Sequence, residues 1–152
     1  MRLRFEKLER DAAREMADRV RRSKPTRLFG FELLAAEPGR AVMRMKVRDS
    51  HRQVHGVVHG GFLAALADTA GALCCYLSLP RGTRLATVEL KINYLEAVAG
   101  GAVEAEGKML RCGKTFTVSE CDIRDSGGRL VAKSLQTFAI IAAPTKATQR
   151  KR

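Results

Sequence analysis

Between residues 5 and 20 the apolar positions Phe5, Leu8, Ala12, Met16 and Val20 recur at steps of three and four, with Arg and Glu between them. That spacing lays one apolar stripe along a helix and predicts an amphipathic surface helix ending at Lys24-Pro25. Beyond Pro25 the period drops to two. Phe31, Leu33 and Ala35 lead to a Glu37-Pro38-Gly39-Arg40 turn, after which Ala41, Met43, Met45 and Val47 alternate with Val42, Arg44, Lys46 and Arg48. This is the pattern of a hairpin with one buried face. An irregular stretch, 49–58, precedes His59-Gly60-Gly61 and a long apolar run, which predicts a helix over 61–79 stopped by Pro80-Arg81-Gly82. Val88, Leu90, Ile92 and Tyr94 then alternate with Thr87, Glu89, Lys91 and Asn93. Further strands are predicted at 102–111, 115–124 and 130–141, parted by turns at Gly100-Gly101, Cys112-Gly113-Lys114 and Asp125-Ser126-Gly127-Gly128.

The element order is therefore helix, two strands, long helix, four strands. Short turns between the last four strands favour antiparallel neighbours, so a single antiparallel sheet is expected. The central helix is apolar nearly all round, which demands burial on most sides. A strongly curved sheet wrapped around that helix meets both demands, in the α+β class. A chain of 152 residues has room for one such domain. The expected division is a basic amphipathic helix and linker over 1–27, a folded domain over 28–142 and a basic tail over 143–152.

Charge adds a restriction. The net charge is +12, but residues 1–27 hold ten Lys/Arg against five Asp/Glu, and 142–152 hold four basic residues and no acid. A nucleic-acid module would carry its basic stripe on the folded body, interleaved with stacking aromatics. Here the body is nearly balanced and aromatics are 5% of the chain, so no nucleic-acid partner is expected. Cys74, Cys75, Cys112 and Cys121 form no CxxC pair or metal-ligand spacing and read as small buried hydrophobes of a reducing compartment. The 62–79 run carries Asp68 near its middle, which would cost about 2.5 to 3.5 kcal/mol in a bilayer. It is read as a buried helix, with no membrane partner. No signal-peptide core or transit-peptide composition is evident near residue 1, so a cytoplasmic location is expected.

Two features break the local rules. Asp68 lies inside the most apolar helix, and its neighbours at three and four residues on either side, Ala64, Ala65, Gly71 and Ala72, are all small. Space beside a carboxylate is what a substrate cleft needs; the alternative is a structural Asp bonded to a backbone N–H or to an Arg from a neighbouring strand. The second feature is His59-Gly60-Gly61 at the helix entrance. Glycines let another molecule approach the backbone, and free N–H groups at the positive end of a helix suit a developing oxyanion.

The run Gln53-x-x-Gly56-x-x-His59-Gly60-Gly61, followed by Leu66-Ala67-Asp68-Thr69-Ala70-Gly71, resembles the signature of hotdog-fold acyl-CoA thioesterases of the phenylacetate-pathway (PaaI) type, which includes 4-hydroxybenzoyl-CoA thioesterases. The likeness spans about 28–141, with the Val88-Glu89-Leu90-Lys91-Ile92-Asn93-Tyr94 strand and the Gly113-Lys114-Thr115 turn. It implies that the Gly60 N–H polarises the thioester carbonyl and that Asp68 acts as nucleophile or as general base on water. Gln53 would help place the carbonyl or leaving sulfur, His59 would orient the helix end, and Thr87 would position water. Some relatives use a hydroxyl one helical turn after the acid, where this chain has Ala72. Gly61, Arg111, Gly113, Lys114, Thr115 and Arg84 are the candidate substrate-binding residues, with the basic ones facing coenzyme A phosphates.

A thioester needs one oxyanion donor and one base or nucleophile, so no metal and no cofactor are expected; coenzyme A is part of the substrate. The resemblance further implies a homo-oligomer, dimer or tetramer, with sites between subunits: Gly60 and Gln53 of one protomer face Asp68 and Thr87 of the next. The rival reading is a non-catalytic acyl-CoA binding module or sensor on the same fold.

Overall fold

The computed structural model describes residues 13–141; the expectations for Phe5, Leu8 and Ala12 and for the C-terminal tail lie outside the described residues. Within them, helix α1 covers 13–22 and turns Met16 and Val20, one helical turn apart, into the core. Pro25 does not end the helical region. The chain breaks at Ser23, whose hydroxyl accepts from the Thr26 N–H, and α2 (Lys24–Phe29) starts there with Pro25 in its first turn. Proline lacks only a donor that the first turn leaves unpaired, so it opens this helix instead of closing the one before. Gly30, at φ +71°, ends α2.

The strands are β1 (Phe31–Glu37), β2 (Arg40–Lys46), β3 (Arg84–Tyr94), β4 (Ala102–Cys112), β5 (Phe116–Asp125) and β6 (Leu130–Ile141), and the central helix is α3 (Gly60–Tyr76). The helix starts one residue earlier and stops three earlier than its apolar run predicts. The strands form one antiparallel sheet in the order β1-β2-β4-β5-β6-β3. Wrapped around α3, this is the hotdog fold. One expectation fails: β3 pairs with β6, at the far edge, and not with β4, which follows it in sequence. The connection over 95–101 crosses the sheet, and no turn signal distinguishes such a crossing from a hairpin.

Period two delivers the inner row of each central strand. Ala41, Met43 and Met45 of β2, Val103 and Ala105 of β4, and Cys121 and Ile123 of β5 are fully buried against Leu66, Ala67, Ala70, Cys74 and Cys75 of α3. Cys112, in contrast, is exposed at the end of β4, so only three of the four cysteines serve as core hydrophobes. The helix lies so close to β4 that a Cβ on Gly107 would stand 2.5 Å from the Ala70 carbonyl oxygen. Backbone cannot step aside as a side chain can. Gly107→Ala is therefore expected to destabilise the fold by ~3 kcal/mol, visible as a melting temperature lower by roughly 10 °C; an unchanged melt would contradict this packing.

β3 is an edge strand with a bulge between Thr87 and Glu89. The extra residue, Val88, leaves the apolar row and is 57% exposed, where strict alternation had put it on the same face as Leu90 and Ile92. The bulge shifts the facing residues by one and turns Thr87 toward the helix.

Candidate active site

Asp68 is half-buried on α3, where the helix passes β3. Its Oδ1 accepts from the Thr87 hydroxyl at 2.9 Å. Burial pushes the carboxyl above its ordinary range, and the Thr87 hydrogen bond, which favours the ionised form, offsets only part of this. The small neighbours divide by face. Ala64, Ala65 and Ala72 are half-buried. Gly71 instead faces the sheet, where a Cβ would stand 2.8 Å from Ser119 Oγ and 3.1 Å from Gln136. Its smallness serves helix packing and not the space beside the carboxylate.

At the entrance of α3, His59 is the N-cap, and its Nδ1 accepts from the Gly61 N–H at 3.0 Å. The Phe62 N–H bonds back to the His59 carbonyl. Gly61 is thereby occupied by the cap, while the Gly60 N–H has no hydrogen-bond partner among the described residues. Gly60 thus keeps the oxyanion-donor role open, and Gly61 does not. Gln53 closes a tight turn through backbone bonds with Val57 and Gly56, and it lines, with Gly60, Leu63 and Tyr94, a cavity of about 440 Å³. His51 is fully buried under this loop; its Nδ1 accepts from the Arg48 N–H, and its carbonyl holds the His59 N–H.

The basic candidates form a third group. The Ile140 N–H donates to the Thr115 carbonyl, and Leu85, next to Arg84, pairs with Ile140. Arg84 and the Arg111 to Thr115 turn therefore share one end of the sheet. The turn is closed by a bond from the Gly113 N–H to the Phe116 carbonyl. Tyr76, at the end of α3, accepts from the Leu85 N–H, so this end lies by the C-terminus of α3 and the Gly60 group lies by its N-terminus.

Within one chain the candidates therefore fall into three places. Gly60 and Asp68 are eight residues apart on one helix, which is about 12 Å along its axis, too far for both to serve one carbonyl.

Two residues of this region were not among the candidates read from the sequence. Tyr94 read as one more apolar position of β3, yet its hydroxyl donates to the Gly60 carbonyl at 2.9 Å. Gln136 is fully buried beneath α3 and donates to the Ala67 carbonyl, with Ser119 and Ser134 holding its amide. A glutamine on the inward row of β6 was the available sign.

Residues 55–132 match the family model described as thioesterase superfamily, a span that contains His59, Gly60, Asp68, Thr87 and the Gly113 turn. The chain belongs to the thioesterase superfamily. It is accordingly a hydrolase of thioester bonds. It is 30% identical to human acyl-coenzyme A thioesterase 13, over 69% of this chain and 76% of that protein. It is 29% identical to the 1,4-dihydroxy-2-naphthoyl-CoA hydrolase of Listeria monocytogenes, over 74% of this chain and 91% of that one. Among solved structures it superposes on a point mutant of the phenylacetic acid degradation protein PaaI from Thermus thermophilus with a TM-score of 0.71 at 29% identity, covering 77% of this chain and 98% of that one. No helix among the described residues is long and apolar enough to cross a membrane.

Proposed function

We propose that this thioesterase hydrolyses acyl-CoA or arylacyl-CoA to the free acid and coenzyme A, at sites built between the protomers of a homo-oligomer. The observation that carries the reading is the Asp68–Thr87 pair, a half-buried carboxylate held by a hydroxyl of β3, whose outer edge has no strand partner among the described residues. An exposed edge of this length calls for pairing or cover. Antiparallel pairing of β3 with its two-fold mate would bring the Thr87 end of one strand toward the Tyr94 end of the other, and so Gly60 and Gln53 of one protomer toward Asp68 of its partner.

In the reaction, the Gly60 N–H and the positive end of α3 stabilise the charge that develops on the thioester oxygen. Asp68 takes a proton from water, which Thr87 orients, as the water oxygen bonds to the carbonyl carbon; the C–S bond then breaks, giving the free acid and the coenzyme A thiolate, which receives the proton that Asp68 took. The chemistry needs no metal or cofactor. Hydrolysis of a panel of acyl-CoAs by the purified protein, followed by thiol release, tests the proposal; tight binding of acyl-CoA without turnover would overturn it in favour of a binding module.

Because burial raises the Asp68 pKa, kcat/KM is expected to fall on acidification through a limb above the ordinary carboxylate range. Thr87→Val removes the bond that favours the carboxylate, so the limb should move to higher pH. A limb that stays put would mean that Asp68 is not the titrating base.

The basic end by Arg84, Arg111 and Lys114 is assigned to the phosphates of coenzyme A. Phosphate attraction acts on binding, so Lys114→Ala or Arg111→Ala should raise KM and weaken its salt dependence, with kcat little changed. Removing 143–152 should change neither constant. The reverse pattern would relocate the coenzyme.

A further inference from the structure

The Gly60–Gly61 peptide, in the first turn of α3, is held at both of its polar ends by side chains. Its N–H donates to His59 Nδ1 at 3.0 Å, and its C=O accepts from the Tyr94 hydroxyl at 2.9 Å. Two consecutive glycines have no Cβ to restrict their backbone angles, and the N–H groups of a helix's first turn have no intrahelical partner. The Gly60 N–H lies in the adjoining His59–Gly60 peptide, whose C=O accepts from the Phe62 N–H, and its direction follows from how the Gly60–Gly61 peptide next to it is held.

Tyr94 is placed to do this. Its ring lies against the Gly60 backbone: a Cβ on Gly60 would stand 2.9 Å from Tyr94 Cζ and 3.1 Å from Cε1 and Oη. The ring thus fills the volume that any side chain at position 60 would need. Glycine here makes room for Tyr94, not simply for an incoming molecule. Burial pushes the phenol pKa up, so the hydroxyl keeps its proton and remains a donor throughout the neutral range. Tyr94 ends β3, and Thr87, which grips Asp68, lies seven residues earlier on the same strand. One strand therefore holds both the base and the donor end of α3.

We propose that Tyr94 is a positioning residue that, together with His59, locks the Gly60–Gly61 peptide and so aims the Gly60 N–H at the thioester oxygen. This rests on the reading of Gly60 as the oxyanion donor. Tyr94→Phe keeps the ring and removes only the hydroxyl. A neutral hydrogen bond of this kind corresponds to a loss in kcat of about three- to tenfold, with KM and the melting temperature little changed.

A second readout uses the carbonyl itself. Benzoyl-CoA bound to the Asp68→Asn protein should show its thioester C=O stretch at lower frequency than free in solution, because the Gly60 N–H polarises the bond. In the Asp68→Asn, Tyr94→Phe protein that displacement should shrink. Undiminished kcat in Tyr94→Phe with an unchanged carbonyl frequency would overturn the proposal, as would a raised KM or lowered melting temperature with kcat intact. Full turnover by Asp68→Asn alone would instead overturn the underlying reading of the site.

Discussion

Asp68→Asn is expected to lower kcat by at least about 100-fold while the protein stays folded. The substitution keeps the size of the side chain, and the amide oxygen can still accept from the Thr87 hydroxyl that now bonds Oδ1. It removes only the capacity to take a proton or attack a carbonyl. Stability moves the other way. The folded-state pKa of Asp68 is raised, so the folded protein binds this proton more tightly than the unfolded chain. The resulting cost is absent below the ordinary carboxylate range and fully present above the raised pKa. Asn carries no charge and escapes the cost, so the variant should melt at or above the wild-type temperature at neutral pH. Turnover near wild type on the best acyl-CoA would refute the mechanism, and a markedly lower melt would show a structural carboxylate instead.

The second large effect is complementation between two inactive chains. Gly60→Pro removes the free N–H while keeping the start of the helix. Proline suits the first helical position, and His59, at φ −67° and ψ 132°, already has the extended conformation that a following proline requires. The Tyr94 ring must yield to the new side chain, so folding has to be checked by melting. Alone, Gly60→Pro and Asp68→Asn should each be nearly inactive. Co-expressed and purified through two different tags, mixed dimers should regain activity, because one of the two sites at their interface pairs an intact Gly60 with an intact Asp68. Random pairing of the chains predicts about a quarter of wild-type turnover in the whole mixture. No recovery in verified mixed dimers would mean that both groups act from the same chain, against the ~12 Å that separates them along α3.

The element list was legible because burial writes itself into hydropathy. Met16 and Val20 follow the helical period, and Ala41, Met43 and Met45 follow the strand period, because each faces the core from a backbone of known repeat. Asp68 and the His59-Gly60-Gly61 entrance were legible for the opposite reason: each violates the preference of its surroundings. The resemblance in sequence added roles to residues that physics had singled out only as exceptions, and the family match covers the same segment.

What the sequence by itself determined, then, was local: which residues form helix or strand, which face of each is apolar, and which residues are out of place. Tertiary structure decided the rest. The pairing of β3 with β6 depends on a crossing that leaves no mark in residues 95–101. The bulge at Val88 turns Thr87 toward Asp68 and expels an apparent core residue, because one inserted position reverses the facing of everything before it. Pro25 opens α2 because Ser23 caps it, a choice made by a hydrogen bond and not by the proline. Gly71, Gly107 and Gly60 look alike in sequence. Only packing shows that the first accommodates Ser119 and Gln136, the second the backbone of α3, and the third the ring of Tyr94. Contacts between residues distant in the chain carry no periodic signal, since periodicity records what a residue faces and not what it touches.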